Sequence, residues 1–225
     1  MKTKINKIIT GIALTMTVIT TLSSCKKDED ENKNLKASIN VVNSVEGSTA
    51  QDAYVDDSKA TTSPVAYGSA SGSLNIATGN RTIVFKNAGT STLTASAGFN
   101  AELNSSTTVF LVKKADGSYG INTYANDNTT VSGKARVRFV NVAPLLSAAI
   151  NVTTSAGTAV VNGLTYTAAS AYQTVDANTA FNITMAGSLE VTTISSTELQ
   201  AGKNYIVWFD SSSSTKAKYH VVLQN

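Results

Sequence analysis

One block of this sequence is written twice. Lys36-Ala37-Ser38-Ile39-Asn40-Val41-Val42-Asn43 aligns with Lys134-Ala135-Arg136-Val137-Arg138-Phe139-Val140-Asn141, an offset of 98, and the same offset carries Val109-Phe110-Leu111 onto Val207-Trp208-Phe209. Tyr67 lies one residue out of step with Tyr166, so the copies differ slightly in loop length. Self-similarity at a fixed offset marks each copy as one structural unit. The expected organisation is two domains, 36–127 and 134–225, joined by a short polar linker at 128–133.

Each copy reads as strand after strand. Ile39 and Val41 alternate with Ser38 and Asn40, and Val137 and Phe139 with Arg136 and Arg138, which predicts one apolar and one wet face. Val109 to Val112 and Tyr205 to Phe209 are continuous apolar runs, expected as central strands buried on both faces. Turn signals recur at Thr78-Gly79-Asn80, Ala88-Gly89, Asp116-Gly117, Ala156-Gly157, Ala186-Gly187 and Ala201-Gly202, with Asp116-Gly117 the clearest hairpin. The chain has 31 Thr, 26 Ser and only 2 Pro, a composition suited to half-buried pleated surfaces and turns. The predicted fold is all-β: two tandem immunoglobulin-like β-sandwich domains with about seven short strands each. Without a cysteine in either copy, each must hold together by its apolar core alone.

The N-terminus carries an address. Lys2, Lys4 and Lys7 precede an uncharged, mostly apolar run at 8–22, too short for a membrane span of about 20 residues and suited to a secretory signal. Leu22-Ser23-Ser24-Cys25 follows and resembles a lipobox, the site read by the bacterial lipoprotein signal peptidase. There the Cys25 thiol takes a diacylglycerol as a thioether, small Ser23 and Ser24 admit the peptidase, and cleavage leaves Cys25 first in the mature chain. A conventional signal or an uncleaved anchor is the alternative. Residues 1–24 are thus expected to be a signal peptide, and 25–35 an acylated cysteine and charged tether. Two or three acyl chains hold a protein to a bilayer far more firmly than one, at about 0.8 kcal/mol per buried CH₂. The expected partner is the membrane, through the lipid on Cys25. Lys27-Asp28-Glu29-Asp30-Glu31 reads blandly as a solvated charge run. It also resembles the lysine-then-acidic signal that exports Bacteroidetes lipoproteins to the cell surface, which implies an outer-membrane location with either the outer or the periplasmic face open. Without Lys2, Lys4 and Lys7 the 18 basic side chains fall to the number of acidic ones, 15. A neutral chain has no counterion-release drive toward nucleic acid, so none is expected as a partner.

Arg138-Phe139-Val140-Asn141-Val142-Ala143-Pro144 gives an Arg-bearing strand ending in Asn-x-x-Pro, and Ala66-Tyr67-Gly68-Ser69-Ala70-Ser71-Gly72 is followed by a glycine turn at Ala77-Thr78-Gly79. In these motifs the chain resembles the bacterial family called domain of unknown function 4397. Each copy departs where the other conforms: Glu46 replaces the proline of Pro144, and Thr167 replaces the glycine of Gly68. The resemblance implies a β-sandwich in an exported, often lipid-anchored protein, and no chemistry.

The inventory for catalysis is thin. His220 is the sole histidine, placed in the last strand and expected to be a partly exposed structural residue, so no catalytic residue is assigned. Zinc ligands are too few. Asp52, Asp56, Asp57 and Asn126-Asp127-Asn128 offer hard oxygens for calcium but lack the spacing of a calcium loop, and are read as solvated turn residues. No cofactor or metal is expected. Eight tyrosines (Tyr54, Tyr67, Tyr119, Tyr124, Tyr166, Tyr172, Tyr205 and Tyr219) could form a sugar platform if several were exposed together, but scattered over so many strands they read as core-edge packing. The expected function is a non-catalytic, surface-displayed binding or structural lipoprotein with a protein or glycan ligand. The alternative is an accessory carbohydrate-binding lipoprotein of an outer-membrane uptake system.

Overall fold

The computed structural model describes residues 36–224. Among these described residues sixteen strands form four sheets. The first copy supplies β1(Lys36–Asn43), β2(Gln51–Val55), β3(Ser58–Lys59), β4(Ala70–Ala77), β5(Gly79–Asn87), β6(Leu93–Ala101), β7(Ser106–Lys113) and β8(Tyr119–Ala125). The second supplies β9(Lys134–Asn141), β10(Ile150–Thr154), β11(Ala159–Leu164), β12(Gln173–Asp176), β13(Phe181–Met185), β14(Thr192–Ile194), β15(Asn204–Asp210) and β16(Lys218–Leu223). Sheet orders β4-β1-β7-β8 and β3-β2-β5-β6 in the first recur as β12-β9-β15-β16 and β11-β10-β13-β14 in the second. The offset of 98 survives in the register. Ser38 pairs with Ser106 and Asn43 with Leu111 in the parallel β1/β7 ladder, as Arg136 pairs with Asn204 and Asn141 with Phe209 in β9/β15.

Period-two alternation sends successive side chains to opposite faces. In the first sandwich Ile39, Val41, Val109 and Leu111 meet Ile83 and Phe85 of the outer sheet. In the second, Phe139 packs edge-on to Phe181 at 5.5 Å and stacks with Phe209 at 6.1 Å. The intervening residues of the continuous runs do not reach water. Val42, Phe110, Val112 and Tyr124 form a third core with Val140, Ile206, Trp208 and Val222. The two inner sheets therefore pack on each other, and the molecule is a four-layer stack. The apolar runs are buried on both faces because the other copy covers the second one. The expectation of a wet face on β1 and β9 is corrected here. Asn40 and Val42 are buried, and Arg138 lies along the seam, its Nη1 donating to Ala125 O at 2.6 Å and its guanidinium over the rings of Tyr124 and Tyr172.

The seam has approximate two-fold symmetry. Phe110 and Trp208 occupy equivalent positions and touch each other, centroids 5.9 Å apart, as residues on the axis of an isologous interface do. Off the axis, Tyr67 reaches Asp210 at the end of β15, while Tyr166 donates to Lys113 O at the end of β7 at 2.9 Å.

The motif asparagines act on the backbone. Asn43 Oδ1 accepts from Val45 N at 3.2 Å and Asn141 Oδ1 from Ala143 N at 3.0 Å, while their amides donate to Val65 O and Leu164 O. Each turns the chain out of its strand. Gly68 N and Thr167 N then bond to the main-chain oxygens of Asn43 and Asn141, with φ of 78° and 65°. Glycine takes that conformation freely, and a β-branched residue does so only under strain. Thr167→Gly should therefore raise the midpoint of urea unfolding, by about 1 kcal/mol in stability. Trp208→Ala should lower stability by about 3–5 kcal/mol, and Trp208→Phe, which restores the residue of the equivalent position, should lower it less.

Candidate functional site

The strands fix two ends. Asn104 N bonds to Lys36 O, Asn126 N to Ser106 O and Gln224 N to Asn204 O, so the start of β1, the linker and the last described residue gather where β1, β7, β9 and β15 begin. Here the linker is strapped to the second sandwich: Arg136 pairs with Asp127 at 2.6 Å, and the Asn204 side chain donates to Asp127 O and Thr129 O. The Arg136 guanidinium, with the Thr129 amide, holds the Asp127 carboxyl well below the usual carboxylate range. At a rise near 3.3 Å per residue the opposite end lies about 25 Å away.

That opposite end holds a cleft of about 540 Å³ between the two copies, within the size range of ligand sites. It sits on the pseudo-two-fold axis, so the same segments of each copy line it. They are chemically different. The first copy presents mostly charge, Glu46, Lys113, Lys114 and Asp116 with Val45 beside them; the second presents Val142, Pro144 and Leu145 with Asp210, Ser211 and Ser212. The hairpin at Asp116-Gly117, legible in the sequence, forms the charged rim: Asp116 Oδ1 accepts from Ser118 N at 2.9 Å, and Gly117 has φ of 84°. Leu145 is 56% exposed at the apolar wall.

Below the cleft a polar cluster ties the copies together. Lys218 pairs with Glu46 at 2.7 Å and donates to the Tyr67 hydroxyl at 3.1 Å. Tyr67 in turn donates to Asp210, whose other oxygen lies 3.2 Å from His220 Nε2. Burial and the Asp210 carboxylate push the Tyr67 phenol from its ordinary 10.0 up to about 12. Burial disfavours the charge on Lys218, but Glu46, Tyr67 and Asp210 outweigh it and hold the ammonium above the usual lysine range. His220 stacks on Trp208 with centroids 4.0 Å apart, and its other edge lies over Gly68, where a β-carbon would come within 3.1 Å of Nδ1. Protein thus faces both imidazole nitrogens, and the Tyr67 hydroxyl lies 3.5 Å from Nε2. His220 is partly exposed, as read from the sequence, and its chemistry is that of a wedge in the seam. Sequence reasoning missed the cluster: its members are up to 174 positions apart, and only the repeat offset, which sets Asp210 against Val112 and His220 against Asn122, hints that this side of the axis was altered.

Asp52, Asp56 and Asp127, weighed for calcium and read as solvated turn residues, are engaged with protein partners. Asp52 lies on β2 and is buried, which corrects its reading as a solvated turn residue. Its oxygens meet Lys59 Nζ at 2.8 Å and Gly89 N at 3.1 Å, and the Lys59 hydrogen bond outweighs burial to lower its pKa. Asp56 and Asp57 form the β2–β3 turn with φ of 48° and 68°, and both Asp56 oxygens are bound, by Thr82 N and by Arg81. Among the described residues no group of three or more metal-ligating side chains occurs. The tyrosines are mostly packed: Tyr67, Tyr124, Tyr166 and Tyr172 line the seam, and Tyr119, at 42%, is the most exposed. No tyrosine platform faces solvent among the described residues. Leu22, Ser23, Ser24, Cys25, Lys27, Asp28, Glu29, Asp30 and Glu31 lie outside the described residues.

Over residues 37–153 the chain matches the family model described as Domain of unknown function (DUF4397). The chain belongs to that family. The match takes in the first sandwich, the linker, β9 and nearly all of β10. No curated protein matches the chain. Among solved structures, a family CBM26 module of Amy13K from Eubacterium rectale, in complex with maltoheptaose, is 11% identical with a TM-score of 0.27, over 84% of this chain and 97% of that one. A streptococcal virulence factor described for α-glucan binding is 10% identical with a TM-score of 0.26, over 82% and 96%. A C-terminal fragment of the pilus adhesin SpaC from Lactobacillus rhamnosus GG is 11% identical with a TM-score of 0.20, over 84% and 97%. Likenesses this slight carry no argument about what this chain binds.

The raised phenol has a sign. Below pH 10 Tyr67 is neutral folded or unfolded. Above it the unfolded chain ionises first, so the stability this group contributes is lost as pH rises through about 12. Lys218 acts in the same direction. Urea midpoints measured from pH 9 upward should fall less steeply in Tyr67→Phe than in the parent.

Proposed function

We propose that this chain is a non-catalytic lipoprotein of the outer membrane, acylated at Cys25 and displayed at the cell surface, where it presents its cleft end as a binding module. The observation that carries this reading is the polarity of the stack. The described residues begin at Lys36, at the end where all four central inner strands begin, and the cleft lies at the far end; a 25–35 tether would join there. A membrane anchor at Cys25 would leave the cleft pointing away from the bilayer, and loops on a rigid scaffold are where binding residues concentrate. Support for a non-catalytic role comes from the single histidine and its packing between Trp208 and Gly68. A carbohydrate-binding role would call for exposed rings, and the seam takes up four of the eight tyrosines while Tyr205 and Tyr219 pack in the second core.

Cells expressing the full chain should incorporate an alkynyl fatty acid into it, and Cys25→Ala should abolish the label. Protease added to intact cells should digest the wild-type chain. Label persisting in Cys25→Ala would overturn the anchor, and full protection of a labelled chain would place it on the inner face.

A further inference from the structure

The cleft compares two copies of one template. Where both copies keep a feature, such as the backbone bonds of Asn43 and Asn141, the fold requires it. Where they diverge at equivalent positions on a shared site, the fold tolerates either chemistry. Glu46 stands opposite Pro144, Lys113 opposite Ser211 and Lys114 opposite Ser212 in the repeat alignment, and all six line the cleft. The first wall therefore carries charges of both signs; the second is mainly apolar, with the Ser211 and Ser212 hydroxyls and the Asp210 carboxylate, already held by Tyr67, at its base. Ser211 adds an independent signal: it is 7% exposed, and its hydroxyl has no hydrogen-bond partner. A buried polar group left unpaired is costly, and a ligand amide or carbonyl would satisfy it once a small shift of residues 211–212 opened the hydroxyl, which is closed to solvent, to the cleft.

We propose that the cleft binds an extended polypeptide segment in which charged and apolar side chains alternate. In an extended chain successive side chains point to opposite sides. One set would then face Glu46, Lys114 and Asp116 while the other packs on Pro144 and Leu145, with Ser211 bonding to the backbone between them. The mixed signs of the charged wall select a peptide carrying both acidic and basic residues in place of a polyanion or polycation. No aromatic side chain lines the cleft for a sugar ring to stack on. The inference rests on the binding reading above and is independent of the anchor.

The test uses the purified full chain in detergent micelles. The probes are labelled twelve-residue peptides alternating Leu or Val with Lys or Glu, the same residues in blocked order, and maltoheptaose. Binding is read by anisotropy for the peptides and by calorimetry for the sugar. The alternating peptides should bind at least about tenfold more tightly than the blocked ones, and Leu145→Asp and Lys114→Glu should each weaken them by about tenfold. Leu189→Asp, at a fully exposed leucine outside the cleft, should leave binding unchanged and controls for detergent-like association. No preference for alternation, indifference to Leu145→Asp, or binding of maltoheptaose alone would overturn the proposal. Because the chain is purified, each of these failures is separate from a failure of acylation at Cys25.

Discussion

The contact between Phe110 and Trp208 organises the molecule. Two inner sheets, each apolar on both faces, exclude water from each other along a pseudo-two-fold axis, and the seam joins what would otherwise be two sandwiches on a linker into one four-layer body. An exposed apolar sheet face of this kind would invite association with other chains. Here the second copy covers the first within a single chain. The linker straps, the Tyr124 and Tyr166 hydroxyls and the Lys218–Glu46 pair then fix the angle between the copies.

From that packing the functional geometry follows. Since β1, β7, β9 and β15 run the same way, the chain enters at one end and the equivalent loops of both copies converge at the other. The cleft exists only because the copies are locked: its walls belong to different copies, and its size depends on the seam. Its chemical asymmetry arises from divergence of equivalent positions, with Glu46, Lys113 and Lys114 set against Pro144, Ser211 and Ser212.

Much of this was legible in the sequence, and the reason is the repeat. The offset of 98 matched equivalent strands of the two copies, and the turn glycines at 79, 117 and 157 announced reversals that need positive φ. The uninterrupted run at 109–112 signalled burial on both faces, because alternation fails only when water meets neither. The partner for the second face was not legible, since nothing in a strand's own pattern says which sheet will cover it. Asp52 was misread for a similar reason: its neighbours Asp56 and Asp57 sit in a turn, but the ion pair that buries Asp52 comes from Lys59 across the β2–β3 hairpin. The cleft and the His220 cluster lay beyond reach because they arise from residues of both copies that meet only after the sheets dock.

The central claim is that the two copies fold as one body through the seam, and differential scanning calorimetry of the full chain tests it most directly. A single unfolding endotherm whose calorimetric and van't Hoff enthalpies agree is the expected result. Two separable endotherms, or a calorimetric enthalpy about twice the van't Hoff value, would mean that the sandwiches unfold independently and would contradict the account.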